Sequence, residues 1–373
     1  MHFRSIKSLA ILSSILALFL VAAAPPDPRE TIFEPNPPQR PPVVAAWLRG
    51  ARGGVRALVV TVAPQVNAYS EVSAFSYTIE RDGSLTANDP VTDAVLVDFA
   101  RLNGIRVIPT ISSTWEATNI TRVLKDPALL SNHINAIMKI ARSPYVDGID
   151  LDYENLPPDT RQPFTDFVTS LAGLLHREGK TLSITVPAKT ADDDPCVICK
   201  FADYASLGAA ADQVRVMAYE YHTRNGGPGP NAPIWWVRQV MQYTVSRVPA
   251  EKAILGIHLY AYDWGGKDSL AYWWNDVQTL KTRYSGEITY VESDARGLVG
   301  ESTMTYSIRQ GPNCPRFKDE CIQPNQERHT VWFVDAAYVA LAWDIVKDLR
   351  LGGIVMWRPG GEDPAIWNVL NAP

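Results

Sequence analysis

Short apolar runs rich in β-branched residues alternate with amphipathic stretches along most of the chain. Eight runs predict β-strands, at Val43–Leu48, Val72–Ile79, Ile105–Ile111, Tyr145–Glu154, Thr181–Val186, Gln213–Tyr219, Ala253–Leu259 and Gly352–Trp357. Helical patterns lie between most of them, over Val91–Leu102, Ala128–Ala141, Arg161–Arg177, Trp235–Thr244 and Ala336–Leu349. This alternation is typical of βα units around a parallel sheet. Eight units predict an α/β fold of the TIM (β/α)8 barrel type. A doubly wound open sheet is the alternative, but no glycine-rich nucleotide turn follows the first strand.

The interval between Leu259 and Gly352 is too long for a single helical connection. Within it, three short stretches have the composition of antiparallel strands: Glu287–Val291, Met304–Ile308 and Val331–Phe333. The pattern therefore predicts a small α+β insertion, at about residues 266–328, between the seventh and eighth barrel strands and on the face formed by the carboxyl ends of the strands.

The amino terminus has a different character. Arg4 and Lys7 precede an apolar run over residues 8–21, which ends in three alanines and two prolines. This pattern indicates a signal peptide over residues 1–24, cleaved after Ala24, with an uncleaved membrane anchor as the alternative. Residues 25–42 are rich in proline and predict an extended linker. The barrel then occupies residues 43–373, and we expect a secreted or cell-envelope protein that leaves the membrane after cleavage.

Charge and cysteine content narrow the class further. A net charge of −5 and a pI near 5.7 argue against a nucleic-acid partner.

In an exported protein, two local disulfides, Cys196–Cys199 and Cys314–Cys321, are the simplest pairing of the four cysteines. A zinc site built from the two pairs is the alternative. We expect no metal, no cofactor and a monomer.

Four acidic residues, Asp147, Asp150, Asp152 and Glu154, are crowded into the segment YVDGIDLDYE. Strand side chains alternate with a period of two, so the last three of these acids point to one face. Like charges packed on an inward face raise the pKa of at least one carboxyl group. A carboxyl group that stays protonated near neutral pH can act as a general acid. The alternatives are an acidic surface strand and an EF-hand-type calcium loop, but the segment lacks the ligand spacing of such a loop.

The segment DGIDLDYE resembles the DxxDxDxE signature of glycoside hydrolase family 18, the chitinase-like enzymes. Their fold is a TIM barrel, and this motif lies on its fourth strand. The resemblance implies that Glu154 protonates the glycosidic oxygen, that Asp152 orients the substrate's acetamido group and that Asp150 shares a proton with Asp152. In this family the N-acetyl oxygen of the substrate replaces an enzyme nucleophile. Asp147 opens the signature and is grouped with the substrate-binding residues, although a structural role is expected for it.

Further matches lie where other strands end, which is the face that carries chemistry in TIM barrels. By the same resemblance, Tyr219 contacts the acetamido oxygen, Met217 lines the site and Trp357 forms the floor beneath the reacting sugar. Glu220 replaces the aspartate that usually follows this tyrosine, and it either bonds the sugar or changes the geometry. Tyr262 adds an aromatic ring suited to sugar binding.

The segments MAYEYH, YAYDW, HTVWFVDA and GGIVMWRPGGEDPAIW are most similar to the spore-germination and cortex-lytic branch of the family. The resemblance runs from about residue 43 to the end. It implies a secreted glycosidase whose partner is a polysaccharide containing β-linked N-acetylglucosamine, of peptidoglycan or chitin type. The alternatives are a weak or inactive chitinase-like carbohydrate-binding protein, which Glu220 favours, and a deacetylase or transglycosylase. The presence of Glu154 favours the hydrolase.

Overall fold

A computed structural model describes residues 41–49, 59–88, 94–265, 270–309 and 326–371. Its strands, in chain order, are β1 Val43–Leu48, β2 Glu71–Ile79, β3 Leu85–Ala87, β4 Arg106–Val107, β5 Thr110–Ser112, β6 Gly148–Asp152, β7 Thr181–Pro187, β8 Gln213–Met217, β9 Ala253–His258, β10 Tyr260–Trp264, β11 Leu270–Trp273, β12 Glu287–Tyr290, β13 Ser293–Asp294, β14 Gly297–Leu298, β15 Ser302–Arg309, β16 Gln326–Phe333 and β17 Gly353–Trp357. Its helices include α1 Ala94–Leu102, α2 Thr118–Leu124, α3 Pro127–Ala141, α4 Arg161–Arg177, α5 Tyr204–Ala210, α6 Ile234–Val245, α7 Trp274–Tyr284, α8 Ala336–Asp348 and α9 Ile366–Leu370.

The main sheet closes on itself. β1 pairs in parallel with both β2 and β17, and the parallel path continues from β2 through β5, β6, β7, β8 and β9 to β17. β4 and β5 share the third barrel position and both pair with β2. Pro109 lies between them and has no N–H group to continue the ladder, which explains why the predicted strand Ile105–Ile111 is split. The predicted TIM barrel is confirmed.

Alternation along the barrel strands separates two environments. Val44, Ala46 and Leu48 of β1 pack outward against the helices. Ala45 and Trp47 point the other way, into a second cluster inside the barrel. The interior is also rich in buried polar side chains; these include Ser73, Thr110, Asp150, Asp152, Ser183, Thr185, Gln213 and Arg215. The barrel core is therefore partly polar, and this polar core leads up to the acidic site.

The predicted insertion is an antiparallel sheet between β9 and β17, with the strand order β11–β10–β16–β15–β12. It has its own apolar core, in which Val277 and Leu280 of α7 pack against Met304, Val331 and Phe333. The sheet begins at Tyr260 and ends at Phe333, so it is wider than the predicted range of residues 266–328. β10 starts just after β9 ends, which seats the sheet beside the carboxyl ends of the barrel strands.

Several predicted features lie outside the described residues: the signal peptide, almost all of the proline-rich linker, and both Cys314 and Cys321. The other cysteine pair, Cys196–Cys199, forms a disulfide in the loop after β7. Across the described ranges, no helix is both long and apolar enough to cross a lipid bilayer.

Candidate active site

The acidic segment enters the site along β6. Asp150 and Asp152 lie within this strand and are buried. The strand is shorter than predicted and ends at Asp152, because its partner β5 ends at Ser112, the residue paired with Asp152. Glu154 therefore lies just beyond the strand, where its side chain is partly exposed. This arrangement places two carboxyl groups inside the barrel and the third at its mouth.

Asp150 is fixed by a dense set of donors. Its Oδ2 accepts hydrogen bonds from Nε1 of Trp47 at 3.0 Å and from the Thr110 hydroxyl at 2.9 Å. Its Oδ1 accepts from the Thr185 hydroxyl at 3.4 Å. The guanidinium group of Arg215 lies 3.5 Å from Oδ2. These contacts hold the Asp150 side chain in one position beneath Asp152 and supply a positive charge next to it.

The carboxyl groups of Asp152 and Glu154 both have raised pKa values. Burial, and then the negative charges of Glu154 and Asp150, raise the pKa of Asp152 well above its usual range. Oδ1 of Asp152 is buried and has no hydrogen-bond partner among the described residues. Burial, followed by the charge of Glu220, also raises the pKa of Glu154. A carboxyl group of this kind retains a proton at a pH where an exposed one has lost it, so Glu154 can act as a proton donor.

Glu220 is held from two sides. Its Oε1 accepts hydrogen bonds from the hydroxyl groups of Tyr260 and Tyr262, the latter at 2.5 Å. Its backbone has φ 71°, in the left-handed region, and its N–H group donates to Oδ1 of Asn231 at 2.6 Å. The structure thus joins Glu220 and Tyr262, both predicted to bind substrate, through a direct contact. The longer glutamate side chain extends to the tyrosines of the inserted sheet.

Tyr219 lies two residues beyond the end of β8. Its ring is partly buried near His258 and Tyr260, with centroid separations of 6.2 Å and 6.4 Å. Burial first, and then the charges of Glu154 and Asp152, raise its pKa well above the usual value. The hydroxyl group therefore stays protonated and available as a hydrogen-bond donor beside the acidic pair.

Trp357 and Met217 contribute apolar surface to the same site. Trp357 ends β17, and its ring lies 5.0 Å from Phe75 and 6.5 Å from Trp47, measured between centroids. Met217 ends β8 and packs with this cluster inside the barrel. Both side chains are only partly buried, so each retains apolar surface that a ligand can contact.

Asp147 does not join the other predicted residues. It precedes β6, at the amino-terminal end of the barrel strands, and is exposed. Its Oδ2 accepts a hydrogen bond from the backbone N–H of Val107 at 2.8 Å. This contact ties β4 to the start of β6, at the opposite end of the strand from Glu154.

Arg215 is a site residue that sequence reasoning missed. It is fully buried inside the barrel, where it forms an ion pair with Glu71 at 2.8 Å and donates to the Ser73 hydroxyl at 2.6 Å. Its guanidinium group also lies 5.9 Å from the Trp47 ring. The signal in the sequence was an arginine between two valines of a predicted barrel strand. A buried guanidinium group requires buried partners, so its position indicated an interior polar cluster.

Two exposed side chains near Glu154 were also missed. Trp115 is 73% exposed, and its carbonyl oxygen accepts a hydrogen bond from the Asn155 side chain at 3.1 Å. Ile198 is 49% exposed and belongs to the disulfide-closed loop. A cavity of about 30 Å³ beside Glu154 is lined by Tyr153, Glu154, Asn155, Thr185, Pro187, Ile198 and Met217. The signal for Trp115 in the sequence was its position shortly after the third predicted strand.

His258 departs from expectation. Its position inside an apolar strand predicts a hydrogen-bonded core residue, but neither ring nitrogen has a partner among the described residues. Its ring is fully buried, between Tyr219, Tyr260 and Tyr338. Burial lowers its pKa to about 3, so the ring is neutral and behaves as an aromatic packing group.

No metal centre is evident in the part of the chain that the structure describes: no three histidine, cysteine, aspartate or glutamate side chains there are grouped to hold an ion. The described side chains of the site can transfer protons through carboxyl groups, form hydrogen bonds through tyrosine hydroxyls and stack through aromatic rings.

Comparison with known proteins places this geometry in a family. The sequence profile of glycosyl hydrolases family 18 matches residues 62–362. The cortical fragment-lytic enzyme of Bacillus subtilis (strain 168) is 27% identical over 303 residues, which make up 80% of this chain and 67% of that protein. The crystal structure of a chitinase from Chromobacterium violaceum ATCC 12472 superimposes with a TM-score of 0.74 at 29% identity, covering 88% of this chain and 98% of that chain.

A further structure, the spore cortex-lytic enzyme SleL of Bacillus cereus, has the same fold, with a TM-score of 0.75 at 24% identity. It covers 89% of this chain and 74% of that one. Since the family profile spans most of the sequence, including every barrel strand from β2 to β17, this protein belongs to glycosyl hydrolases family 18.

Proposed function

We propose that the protein is a secreted glycosidase that hydrolyses β-linked N-acetylglucosamine-containing glycans of peptidoglycan or chitin type. The mechanism is substrate-assisted and retains the anomeric configuration, with Glu154 as the general acid and base. The observation that carries this proposal is Oδ1 of Asp152, which is buried and has no hydrogen-bond partner in the described part of the chain. Buried polar atoms are nearly always hydrogen-bonded, so this atom is suited to accept the acetamido N–H of a bound sugar.

The first step breaks the glycosidic bond. Glu154 donates its proton to the glycosidic oxygen as the acetamido oxygen attacks the anomeric carbon, and the leaving sugar departs with that proton. The resulting oxazolinium ring is positively charged. Asp152, next to the firmly held Asp150, stabilises this charge and orients the acetamido group, while the Tyr219 hydroxyl donates to the acetamido oxygen.

The second step reverses the roles of the same groups. The Glu154 carboxylate removes a proton from a water molecule, whose oxygen attacks the anomeric carbon and opens the oxazolinium ring. Glu154 regains its proton and the acetamido group is restored. Two successive inversions at one carbon return the original configuration.

Aromatic side chains support the choice of a sugar substrate. Trp357 ends β17 with a partly buried ring and is proposed to support the reacting sugar. The exposed Trp115 lies near Glu154. Flat aromatic surfaces beside hydrogen-bonding groups suit the C–H faces of pyranose rings. The named relatives, a cortical fragment-lytic enzyme and a chitinase, also favour an N-acetylated polysaccharide.

A catalytically weak carbohydrate-binding protein is the second candidate. It is favoured by Glu220, whose carboxylate is engaged by two tyrosine hydroxyls. In this candidate the two tyrosines keep Glu220 from bonding a sugar, while the aromatic surfaces still bind one.

The test is to incubate the purified protein with peptidoglycan strands and with chitin oligomers, and to identify products by mass spectrometry. NMR of the earliest products reports the anomer. We expect cleavage of at least one substrate with retained configuration, and a loss of about 10²–10⁴-fold in rate for Glu154→Gln. Glu178→Gln, which removes an exposed carboxylate on the outside of the barrel, is the matched control. Binding without cleavage by the unmodified protein would instead establish the second candidate.

Export is part of the same proposal. The predicted signal peptide requires that the mature protein begins at Pro25. Expression of the full chain with its own leader, followed by amino-terminal sequencing of the protein from the medium or cell envelope, tests this. Retention of residues 1–24 would indicate an anchor.

A further inference from the structure

Two arginines meet at the rim of the active site. Arg49 directly follows β1, and Arg358 directly follows Trp357 at the end of β17. β1 and β17 are neighbours in the barrel, and Nη1 of Arg358 donates a hydrogen bond to the carbonyl oxygen of Arg49 at 3.3 Å. Two positive charges are therefore concentrated beside the residue that forms the floor of the site.

The guanidinium group of Arg358 has an aromatic neighbour. It lies 4.9 Å from the ring centroid of Trp273, a residue of the inserted sheet. Stacking on an aromatic ring leaves the N–H edge of a guanidinium group free to form paired hydrogen bonds, and a carboxylate has the matching geometry. The inserted sheet thus orients Arg358 at the edge of the site.

Within the described ranges, neither arginine forms an ion pair with a carboxylate. The acids that follow Arg358 are engaged elsewhere: Oε2 of Glu362 accepts the backbone N–H groups of Gly360 and Gly361, at 2.6 Å and 3.0 Å. Arg358 is partly buried, and burial together with the charge of Arg49 lowers its pKa. A guanidinium group that is partly removed from water and lies near a second cation is stabilised when an anion binds beside it.

The centre of the site is acidic. Four carboxyl groups, those of Asp150, Asp152, Glu154 and Glu220, are concentrated there, and whichever of them are ionised repel a substrate that carries its own carboxylate. A neutral N-acetylglucosamine chain needs no cation at the rim. An acidic glycan does, because a nearby guanidinium pair offsets the repulsion and anchors the charged substituent.

We propose that Arg358, assisted by Arg49, binds a carboxylate substituent of the sugar chain and makes the enzyme prefer acidic N-acetylated glycans over neutral ones. The lactyl carboxylate of N-acetylmuramic acid, in peptidoglycan strands, has this chemistry. The inference rests on the proposed function, since it defines the substrate class of the same site.

The experiment compares two forms of one substrate: peptide-free peptidoglycan strands with free lactyl carboxylates, and the same strands after conversion of these carboxylates to methylamides. We expect kcat/KM of the unmodified enzyme to be about 10- to 100-fold higher for the acidic form, as for a charge-assisted hydrogen bond. Arg358→Gln should bring this ratio close to one, and Arg358→Lys should restore part of it. Arg350→Gln, which removes an exposed arginine near the opposite end of β17, should keep the full ratio.

Two further measurements test the inference even if the Arg358 variants fold poorly. Arg49 is exposed, and Arg49→Gln should reduce the ratio without lowering the melting temperature. The ratio of the unmodified enzyme should also shrink as the salt concentration rises, because it depends on charge. The inference is overturned if the unmodified enzyme has a ratio of one, or if neither salt nor Arg49→Gln changes the ratio. In either case, cleavage of the strands still supports the proposed function. Failure to cleave either form or chitin oligomers would instead overturn the proposed function itself.

Discussion

The hydroxyl group of Tyr262 donates a hydrogen bond of 2.5 Å to Oε1 of Glu220, joining the inserted sheet to the loop after β8. The same loop is held from a second side, because Oε2 of Glu301, just before β15, accepts the backbone N–H of Asn231 at 3.1 Å. Asn231 in turn accepts the backbone N–H of Glu220. The insertion therefore fixes the position of a carboxylate whose charge raises the pKa of Glu154.

This relationship gives a pH prediction. Glu154 must be protonated to act as an acid, so activity falls as the pH rises through its elevated pKa. In Glu220→Gln the nearby negative charge is gone, the pKa of Glu154 decreases, and the alkaline limb of the kcat profile shifts to lower pH. The measurement is kcat against pH on a soluble N-acetylglucosamine oligomer. Glu287→Gln, an exposed change on β12, should leave the profile in place, and an alkaline limb that does not move in Glu220→Gln would contradict the coupling.

Tyr219→Phe should reduce kcat far more than it weakens substrate binding. The hydroxyl group is expected to meet the acetamido oxygen best as that oxygen attacks, so the contact strengthens toward the transition state. Loss of one such donor typically costs about 10²–10³-fold in kcat. Steady-state kinetics of this variant and of Tyr221→Phe, whose hydroxyl contacts Arg296 instead, separate the roles. A raised KM with unchanged kcat would show that the assignment of Tyr219 is wrong.

Trp357→Ala should lower kcat/KM by an amount equivalent to about 2–4 kcal/mol, because stacking and buried area under the sugar are lost. Trp367→Ala provides the contrast. Trp367 is buried against Tyr69 in the outer core, and its loss should lower the melting temperature, as core truncations of this size cost about 3–5 kcal/mol. Both variants are measured for melting temperature and for specific activity of the folded fraction. If Trp357→Ala behaves like Trp367→Ala, Trp357 is a core residue and not a subsite floor.

Asp152→Asn should stabilise the protein at neutral pH while reducing activity. The pKa of Asp152 is raised in the folded state, so between its unfolded and folded values the folded protein holds a proton that the unfolded chain releases. Stability is therefore lost as the pH rises through this window. The variant lacks that cost, and its gain in melting temperature should be larger at pH 7 than at pH 4. An equal gain at both pH values would argue against a protonated Asp152.

Much of this protein can be inferred from local patterns. The period-two alternation in GIDLD places Asp150 and Asp152 on one face of a strand, and the structure has both inside the barrel. The same alternation separates Trp47 from its neighbours in β1. Parallel strands require crossover connections, which are usually helices. Eight strand patterns with helices between them therefore predict the (β/α)8 barrel. These features depend on residues close together in the sequence, where the spacing fixes the geometry.

Other features depended on how the barrel closes. The sequence places Asp147 beside Asp150, yet Asp147 lies at the other end of the strand from the site. Trp47 donates to Asp150 from 103 residues away, and Arg215 pairs with Glu71 across 144 residues. Periodicity tells which face a side chain takes but not which distant strand lies opposite. Thus the sequence by itself determined the barrel and indicated Glu154 as the proposed general acid. Only the tertiary structure, through strand register and the position of the insertion, decided the partners that hold Asp150, Glu220 and Arg358.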